Sequence, residues 1–348
     1  MRSALHLIMG LPIRENLQLL SRQTPKRIVN SLQVWTSYLR SRSSGKPIIS
    51  GLPISLAIEP TTSCNLRCPE CPSGLRSFTR PTGMLGEPLF RKVIDELAPT
   101  LSYLTFYFQG EPYLHSGFTD LVRYAADKNI YTATSTNAHY LDESNARKTI
   151  ASGLDRLIIS IDGTTQKAYA AYRIGGKLEK VIEGTRTLLR LRKELKSTTP
   201  HVVFQFLVVK PNEHQVPDVY RLARELGVDR VALKTAQIYD YRHGSELIPA
   251  DDRYSRYRKN GDGTYSIKNE LLNHCWRMWS SSVITWDGRV VPCCFDKDAH
   301  HVLGDVSSQS FRDIWESEAY TMFRGSLLKS RSEIEMCRNC TEGTTVWA

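Results

Sequence analysis

Residues 54–71 read Ile-Ser-Leu-Ala-Ile-Glu-Pro-Thr-Thr-Ser-Cys-Asn-Leu-Arg-Cys-Pro-Glu-Cys, a short apolar run followed by three cysteines at C-x3-C-x2-C spacing. Three sulfur ligands from one loop, Cys64, Cys68 and Cys71, would satisfy three irons of a four-iron cube and leave the fourth iron open to another ligand. A zinc site completed by a distant ligand and three unpaired thiols are the alternative interpretations. Zinc knuckles usually contain paired C-x2-C units, so the spacing favours an iron–sulfur cluster.

The chain around this loop alternates between short apolar runs and longer amphipathic stretches. The strand-like runs are residues 54–58, 103–107, 130–135, 156–161, 202–209 and 230–234. The helical patterns are residues 88–98, 116–128, 141–151, 177–196 and 214–226. Six strands alternating with helices predict a parallel sheet of right-handed βαβ units, either a closed barrel or a curved partial barrel. In both forms the loops after the strands carry the chemistry.

The other five cysteines lie near the C-terminus, and the 203 residues between Cys71 and Cys275 contain none. Such tight groups favour metal binding over disulfide bonds. Residues 283–286 and 289–291 have the pattern of a hairpin, and Asp287-Gly288 between them predicts a two-residue type I′ turn. We therefore expect a small second domain to begin at Cys275, after a polar connection over residues 236–274 that is a candidate to lie over the active site.

Composition and charge limit the class of protein. The chain has 348 residues, 41% hydrophobic and 24% charged, which excludes disordered, collagen-like and small disulfide-rich proteins. Residues 1–50 hold eight Lys or Arg against one acid, so they supply seven of the ten net positive charges. The nearly balanced remainder argues against a nucleic-acid groove on the main body. No apolar run approaches the roughly 18 residues of a membrane span, and no cleavage site follows residues 1–13, so we expect a cytoplasmic protein.

The basic N-terminal region contains one helical pattern. Ile28, Leu32, Trp35 and Leu39 recur at helical spacing, which predicts an amphipathic helix over residues 26–41. We expect its apolar side to pack across the main domain and its basic side to face solvent. Docking to a membrane surface or to a partner is the alternative interpretation.

Polar motifs follow the second and third predicted strands. In Phe-Gln109-Gly110-Glu111-Pro, the glycine allows close backbone approach to a ligand and the carboxylate favours a cationic amine. In Thr-Ser135-Thr-Asn137, hydroxyl and amide groups can pair with a ribose diol. An ordinary turn and a helix cap are the respective alternatives.

The cysteine loop and these turns, taken in order, resemble the radical S-adenosylmethionine (radical SAM) superfamily over roughly residues 52–235. The resemblance implies that Cys64, Cys68 and Cys71 hold a [4Fe–4S] cluster that binds SAM. It also assigns cofactor contacts to residues after strands two to four and to an arginine that can grip a carboxylate, namely Gln109, Gly110, Glu111, Ser135, Asn137, Ser160, Asp162 and Arg173. A surface arginine is the alternative for Arg173. A contact with the substrate, or with the N-terminus of the following helix, is the alternative for Asp162. Glu70 departs from the family, which commonly has an aromatic residue there, near the adenine.

Residues 275–340 resemble the SPASM-type accessory domain of radical SAM enzymes, whose opening is C-x9-15-G-x4-C. The full pattern has seven cysteines and two auxiliary clusters, whereas this region has five cysteines. We therefore expect one auxiliary [4Fe–4S] cluster on Cys275, Cys293, Cys337 and Cys340, with structural zinc as the alternative. The adjacent Cys294 is left as a packed thiol or an alternative ligand.

The resemblance implies a partial (β/α)6 barrel with a small C-terminal iron–sulfur domain. The expected divisions are a basic helical extension (1–50), the radical SAM core (51–235), the connection (236–274) and the auxiliary-cluster domain (275–348). The enzyme would cleave SAM reductively, using a donor such as flavodoxin or ferredoxin. The resulting 5′-deoxyadenosyl radical would abstract a substrate hydrogen.

The substrate is expected to be a peptide or protein, which the reaction would oxidise or otherwise modify. Oxidation or rearrangement of a sugar, alcohol or other small metabolite is the first alternative. A non-catalytic metal protein that docks RNA or membrane through its basic N-terminus is the second. Asp296 and Asp305 are candidates for moving a proton near the auxiliary cluster.

Overall fold

A computed structural model describes residues 13–343 of the chain. Two helices come first, α1 (Ile13–Ser21) and α2 (Pro25–Ser44). The central region contains β1 (Ser55–Ile58), α3 (Pro72–Leu75), α4 (Glu87–Leu97), β2 (Tyr103–Thr105), α5 (Phe118–Asp127), β3 (Tyr131–Thr136), α6 (Glu143–Ala151), β4 (Arg156–Ser160), α7 (Gln166–Tyr172), α8 (Leu178–Glu194), β5 (His201–Val208), α9 (Val216–Leu226) and β6 (Arg230–Thr235). The remainder contains β7 (Tyr257–Lys259), β8 (Tyr265–Ile267), α10 (Arg277–Ser280), β9 (Ser281–Ile284), β10 (Arg289–Val291), β11 (Gly304–Asp305), α11 (Phe311–Trp315) and α12 (Glu318–Lys329).

The six predicted strands form one parallel array, as expected. Strands β1 to β6 pair with their sequence neighbours, each pair parallel. The five predicted helices are also present, with ends within two residues of the predicted ones. Because consecutive parallel strands place their carboxyl ends at one edge, the loops after β1, β2, β3 and β4 are brought together there.

The core of this array lies between the sheet and its covering helices. Strand β3 is buried over nearly its whole length, as expected for a parallel strand covered on both faces. Phe90 of α4 and Phe106 after β2 are fully buried, with ring centroids 5.6 Å apart. Burial of one such side chain contributes about 1.5–3 kcal/mol. This packing holds the strand ends, and therefore the loops, in fixed positions.

The C-terminal hairpin extends the central sheet. Strand β9 pairs in parallel with β1, and β10 and β11 follow as antiparallel strands, which gives the order β11-β10-β9-β1-β2-β3-β4-β5-β6. The predicted hairpin is confirmed, but the predicted type I′ turn is wrong. Gly288 has a φ of +96°, whereas Asp287 lacks the positive φ that type I′ requires at both central positions. Three residues, ending with a left-handed glycine, therefore connect the paired Thr285 and Arg289.

Helix α2 occupies the predicted residues, but of the four apolar residues expected to pack, only Trp35 is partly buried, against Trp276. Ile28, Leu32 and Leu39 are exposed by 50%, 58% and 42%. The buried side instead carries Arg27, Asn30, Val34, Ser37, Tyr38 and Ser41. Its polar groups find partners in the protein: Arg27 donates to the carbonyls of Ala98 and Lys128. Because backbone carbonyls satisfy the buried guanidinium, the polar face can be buried.

The connection over residues 236–274 contains a two-stranded antiparallel sheet, β7 and β8. Tyr257 is buried, and its hydroxyl donates to Asn339 Oδ1 of the C-terminal region at 2.9 Å. This contact ties the connection to the C-terminal cysteines. Within residues 13–343, no helix has the length and hydropathy needed to cross a bilayer.

Candidate iron–sulfur and cofactor sites

The three early cysteines share one cavity with the ends of strands β2, β3 and β4. Its lining includes Cys64, Cys68, Cys71, Tyr107, Phe108, Gln109, Gly110, Glu111, Ser135, Asn137, Ser160 and Arg173. All of the sequence-predicted core-site residues except Asp162 are therefore neighbours, although 109 positions separate the first from the last. The parallel strand order produces this convergence, because each contributing turn follows the strand beside the previous one.

The thiols of this cavity have the surroundings of metal-binding sulfurs. The backbone N–H of Leu66 donates to Cys64 Sγ at 3.5 Å, and Arg173 Nη1 lies 3.8 Å from Cys68 Sγ. Burial raises the pKa of the Cys64 thiol to about 12 and also raises that of Cys68. A buried thiolate therefore needs a bound cation, and the thiolate is the form that binds metal. The donor set of three thiols from one loop fits a cluster with one open corner.

The turn after β2 is fixed against the cysteine loop and the end of β3. Gly110 has a φ of +76°, and a Cβ there would collide with the carbonyl oxygen of Thr61, so glycine is required. Glu111 accepts hydrogen bonds from Thr136 Oγ1 at 2.7 Å and from the Asn137 N–H at 2.8 Å. Burial raises the pKa of Glu111 to about 7. The carboxylate thus anchors the turn whose backbone faces the cavity.

Asp162 supports the site without lining the cavity. It is fully buried, and its Oδ2 accepts from Arg173 Nε at 2.5 Å while its Oδ1 accepts from the Leu207 N–H at 2.7 Å. Arg173 lines the cavity, and its pKa is raised, because nearby Asp162 and Cys68 outweigh its burial. The aspartate therefore orients a permanent cation toward the cofactor cavity.

The C-terminal cysteines form a second group around Arg331. Cys275, Cys337 and Cys340 are buried, and Arg331 Nη2 lies 3.2 Å from Cys340 Sγ. The pKa of Arg331 is raised despite its burial, because these three thiols lie near it. The pKa of Cys293 is raised by its hydrogen bond to Cys294 and by burial, with smaller contributions from the nearby Cys340 and Cys275. Burial raises the pKa of Cys337 to about 11 and that of Cys340 to about 12. Four cysteines beside a buried cation supply the donor set of an all-cysteine cluster, although within residues 13–343 no three Cys, His, Asp or Glu side chains are already grouped closely enough to hold a metal ion.

Cys294 is hydrogen-bonded to Cys293 through their side chains, but it also contacts residues on the side of the first cavity. It packs at the edge of an apolar group that includes Phe108 and Val291, and Arg277 Nη1 lies 3.9 Å from its sulfur. Its charge also acts on Tyr107 of the first cavity. Cys294 therefore lies between the two cysteine groups.

A larger groove borders the cysteine loop, the start of the connection and the C-terminal region. Its lining includes Pro72, Ser77, Tyr239, Tyr241, Arg242, Phe295, Lys297, Glu335 and Arg338. Lys297 Nζ lies 4.7 Å from the centre of the Tyr239 ring, a cation–π contact. Glu70, which departs from the family pattern, accepts a hydrogen bond from the Tyr239 N–H at 2.9 Å. It therefore fixes the backbone of a residue that lines the groove.

The two aspartates proposed for proton transfer have structural partners. Both carboxylate oxygens of Asp296 accept backbone N–H groups, from His300 and His301 at 2.8 Å each. Asp305 Oδ1 accepts from the Ser307 N–H at 2.7 Å. Sequence reasoning missed Lys297 and Tyr239, because their only signal was a lysine and a tyrosine in segments without a motif.

Comparison with known proteins identifies the family. Residues 58–223 match the family model of the Radical SAM superfamily, and residues 275–341 match that of SPASM, described as an iron–sulfur cluster-binding domain. The protein is therefore a radical SAM enzyme. More narrowly, it belongs to the radical SAM enzymes that carry a SPASM domain, as the sequence predicted.

Two curated relatives and one solved structure illustrate the likeness. The chain is 28% identical over 297 residues to the tungsten-containing aldehyde ferredoxin oxidoreductase cofactor-modifying protein of Pyrococcus furiosus, covering 77% of this chain and 82% of that protein. It is 26% identical over 319 residues to the PqqA peptide cyclase of Gluconobacter oxydans, covering 85% and 84%. The fold resembles that of Streptococcus suis SuiB bound to precursor peptide SuiA, with a TM-score of 0.62, 13% identity and coverage of 88% and 73%.

These matches confirm the predicted partial barrel with a C-terminal SPASM domain. They also confirm the cofactors: the radical SAM domain binds a [4Fe–4S] cluster and SAM, and the SPASM domain binds auxiliary iron–sulfur. The assignment of individual ligands rests on the cysteine positions described above.

Proposed function

We propose that the protein uses a SAM-derived radical to modify a peptide or protein substrate. The observation that carries the proposal is the convergence of Cys64, Cys68 and Cys71 with three strand-end turns in one cavity, beside a groove that opens to the surface. A peptide cyclase among the curated relatives supports a peptide substrate. The cofactor-modifying relative favours a small metabolite as the second candidate.

Each residue of the first cavity has a distinct role in this proposal. Cys64, Cys68 and Cys71 would hold a [4Fe–4S] cluster, which would supply the electron for cleavage of SAM to methionine and a 5′-deoxyadenosyl radical. Gln109 and Gly110 present their backbone to the methionine amine, and Glu111 holds that turn in place. Ser135 and Asn137 offer hydrogen bonds to the ribose, and Ser160 lies beside them. Asp162 keeps Arg173 aimed at the methionine carboxylate.

The C-terminal group has a separate role. Cys275, Cys293, Cys337 and Cys340 would bind every iron of one auxiliary cube, which favours electron transfer or structural support over direct substrate binding. An electron taken from the substrate radical would make the net reaction an oxidation. We place the enzyme in the reducing cytoplasm, with a flavodoxin or ferredoxin as the electron donor.

The groove supports an extended substrate. Tyr239, Tyr241 and Phe295 offer aromatic surfaces, and Lys297 and Arg242 offer cations along a groove that runs between the barrel and the C-terminal region. A chain with aromatic and acidic side chains would complement this lining. Burial lowers the pKa of Lys297, and the nearby Cys71 and Cys294 partly offset this effect.

Anaerobic reconstitution tests the proposal. With iron, sulfide and a reductant, the chain should bind about eight irons and convert SAM to 5′-deoxyadenosine. Cys68→Ala should abolish that conversion, whereas Cys294→Ser, the matched control, should retain the iron content. Modification of a peptide encoded beside the gene would support the peptide assignment. Turnover of a small metabolite alone would refute it, and absence of 5′-deoxyadenosine from iron-loaded protein would refute the radical reaction itself.

A further inference from the structure

Helices α1 and α2 expose six aliphatic side chains, here called the aliphatic stripe. It consists of Leu17, Leu20, Ile28, Val29, Leu32 and Leu39, whose exposures range from 42% at Leu39 to 61% at Leu17. Scattered exposed apolar residues are normal, but several of them on one helix face indicate an interaction site. The stripe lies outside residues 58–223 and 275–341, so it belongs to neither matched domain.

The packing of α2 keeps the stripe on the outside. Ile28, Leu32 and Leu39 share one helix face, since they are spaced by four and seven residues. The opposite face is held down by specific polar contacts. Asn30 donates to the Leu52 carbonyl and accepts from the Leu52 N–H, each at 2.8 Å. Together with the buried Arg27, these contacts fix the rotation of the helix, so the aliphatic face cannot turn inward without breaking them.

Exposed basic side chains flank the stripe. Lys26 and Arg40 are exposed and lie fourteen residues apart on one edge of α2, and the exposed Arg42 lies on the other edge. Glu15 is the one acidic residue in the first fifty positions. It is fully buried and forms an ion pair with Arg156. The exposed charges of α1 and α2, over residues 15–44, are therefore all positive.

We propose that the aliphatic stripe docks the enzyme on an anionic lipid surface, with α1 and α2 lying in the plane of the interface. Aliphatic side chains would enter the headgroup and acyl boundary while Lys26, Arg40 and Arg42 meet lipid phosphates. A second copy of the chain is a poorer occupant, because a symmetric contact would bring these cations together. A protein partner is also disfavoured, since protein interfaces are enriched in aromatic anchors and the exposed stripe has none.

Vesicle flotation with the full-length, cluster-loaded enzyme tests this docking. One set of vesicles contains phosphatidylcholine alone, and the other contains about 30% phosphatidylglycerol, the anionic component. We expect at least about tenfold tighter binding to the anionic set and a marked loss of binding at high salt. Equal binding to both sets, or none to either, would overturn the proposal.

Variants of exposed residues distinguish binding through the aliphatic stripe from a general effect of added negative charge. Leu32→Glu should lower vesicle binding at least about tenfold, because it places a carboxylate in the apolar face. Met322→Glu on α12, where the side chain is 65% exposed, is the matched control and should bind as the wild type does. Both variants should form 5′-deoxyadenosine at the wild-type rate in solution, which shows that they fold.

Two further outcomes would reassign the surface. Concentration-dependent dimerisation without vesicles, abolished by Leu32→Glu, would indicate a second copy of the chain. Salt-sensitive binding to purified flavodoxin, abolished by Leu32→Glu in a protein that ignores vesicles, would indicate a protein partner. Either result overturns lipid docking, and neither bears on the proposed radical reaction.

Discussion

At the scale of single residues, the cofactor cavity depends on groups that never face the cofactor. Asp162 is buried, yet it positions Arg173 and the backbone of Leu207 together. Gly110 supplies a backbone conformation that no other residue adopts without strain. The sequence indicated both residues through their place after a strand. It could not distinguish a ligand from a support, because that depends on side-chain direction in the folded protein.

Gly110→Ala should weaken SAM binding. The added Cβ would collide with the Thr61 carbonyl oxygen and the positive φ would be strained by about 1–2 kcal/mol, so the turn must move. We expect at least about a tenfold rise in the dissociation constant for SAM, measured by anaerobic equilibrium dialysis. Gly227→Ala is the control, since it also has a positive φ but meets nothing within 4 Å. An equal rise in the dissociation constant for SAM in both variants would show that backbone strain, and not the collision with Thr61, weakens SAM binding.

Arg173→Lys should retain the clusters and lose SAM affinity. Lysine keeps the positive charge. It lacks the planar guanidinium, whose separate N–H groups can donate to Asp162 and to a cofactor carboxylate at the same time. We expect unchanged iron content and about a tenfold loss of SAM affinity. Arg186→Lys, at an exposed position of α8, should change neither quantity. Loss of iron in Arg173→Lys would instead assign the arginine to cluster stability.

At the scale of elements, the periodic patterns of the sequence predicted which helices and strands form better than they predicted which face of a helix is buried. The strands and helices of the barrel were predictable because alternation of apolar runs with amphipathic stretches has few other solutions. The exposed face of α2 was not predictable. Its burial of Arg27 depends on carbonyls of Ala98 and Lys128, which are distant in sequence. Lys297 was missed for the same reason: its place in the groove depends on its contact with Tyr239, which is distant in sequence.

The buried ion pair between Arg80 and Glu59 connects three loops: the one after β1, the one before α4 and the turn between β9 and β10. Two bonds of 2.8 and 2.6 Å join the side chains, and Glu59 also accepts from the Trp286 N–H at 3.3 Å. Arg80→Met should lower the free energy of unfolding by about 3–5 kcal/mol, because it leaves a buried carboxylate unpaired. Denaturant unfolding measures the change.

The surface pair Arg91–Glu87 is the matched control for that measurement. Both side chains are about half exposed, and an exposed pair gains little because water screens it. Arg91→Met should therefore leave the unfolding midpoint essentially unchanged. A similar loss of stability in both variants would contradict the role given to the buried pair.

At the scale of the whole molecule, the strands that precede Cys64 and Cys293, β1 and β10, belong to one sheet. Strand β1, which precedes the first cysteine loop, pairs with β9 on one side and β2 on the other. Tyr38 of α2 donates or accepts a 2.9 Å hydrogen bond with His274, next to Cys275, which links the N-terminal helices to the same region. Such continuity indicates cooperative folding of both metal-binding regions.

Removal of the auxiliary cluster should therefore reduce the stability of the entire fold. Cys337→Ser should lower the iron content by about four per chain. It should also lower the temperature of a single unfolding transition. Calorimetry together with iron analysis measures both effects. Two separate transitions, with the barrel transition unchanged, would show that the regions unfold independently.

The pairing of β9 with β1 also has a consequence for electron movement. Because β1 is hydrogen-bonded to β9, and β9 to β10, the sheet restricts the relative movement of the loops that carry Cys64 and Cys293. The rate of electron tunnelling falls steeply with distance. An enzyme that transfers electrons between two clusters therefore benefits when thermal motion changes the distance between them only slightly. The shared sheet would keep that distance nearly constant.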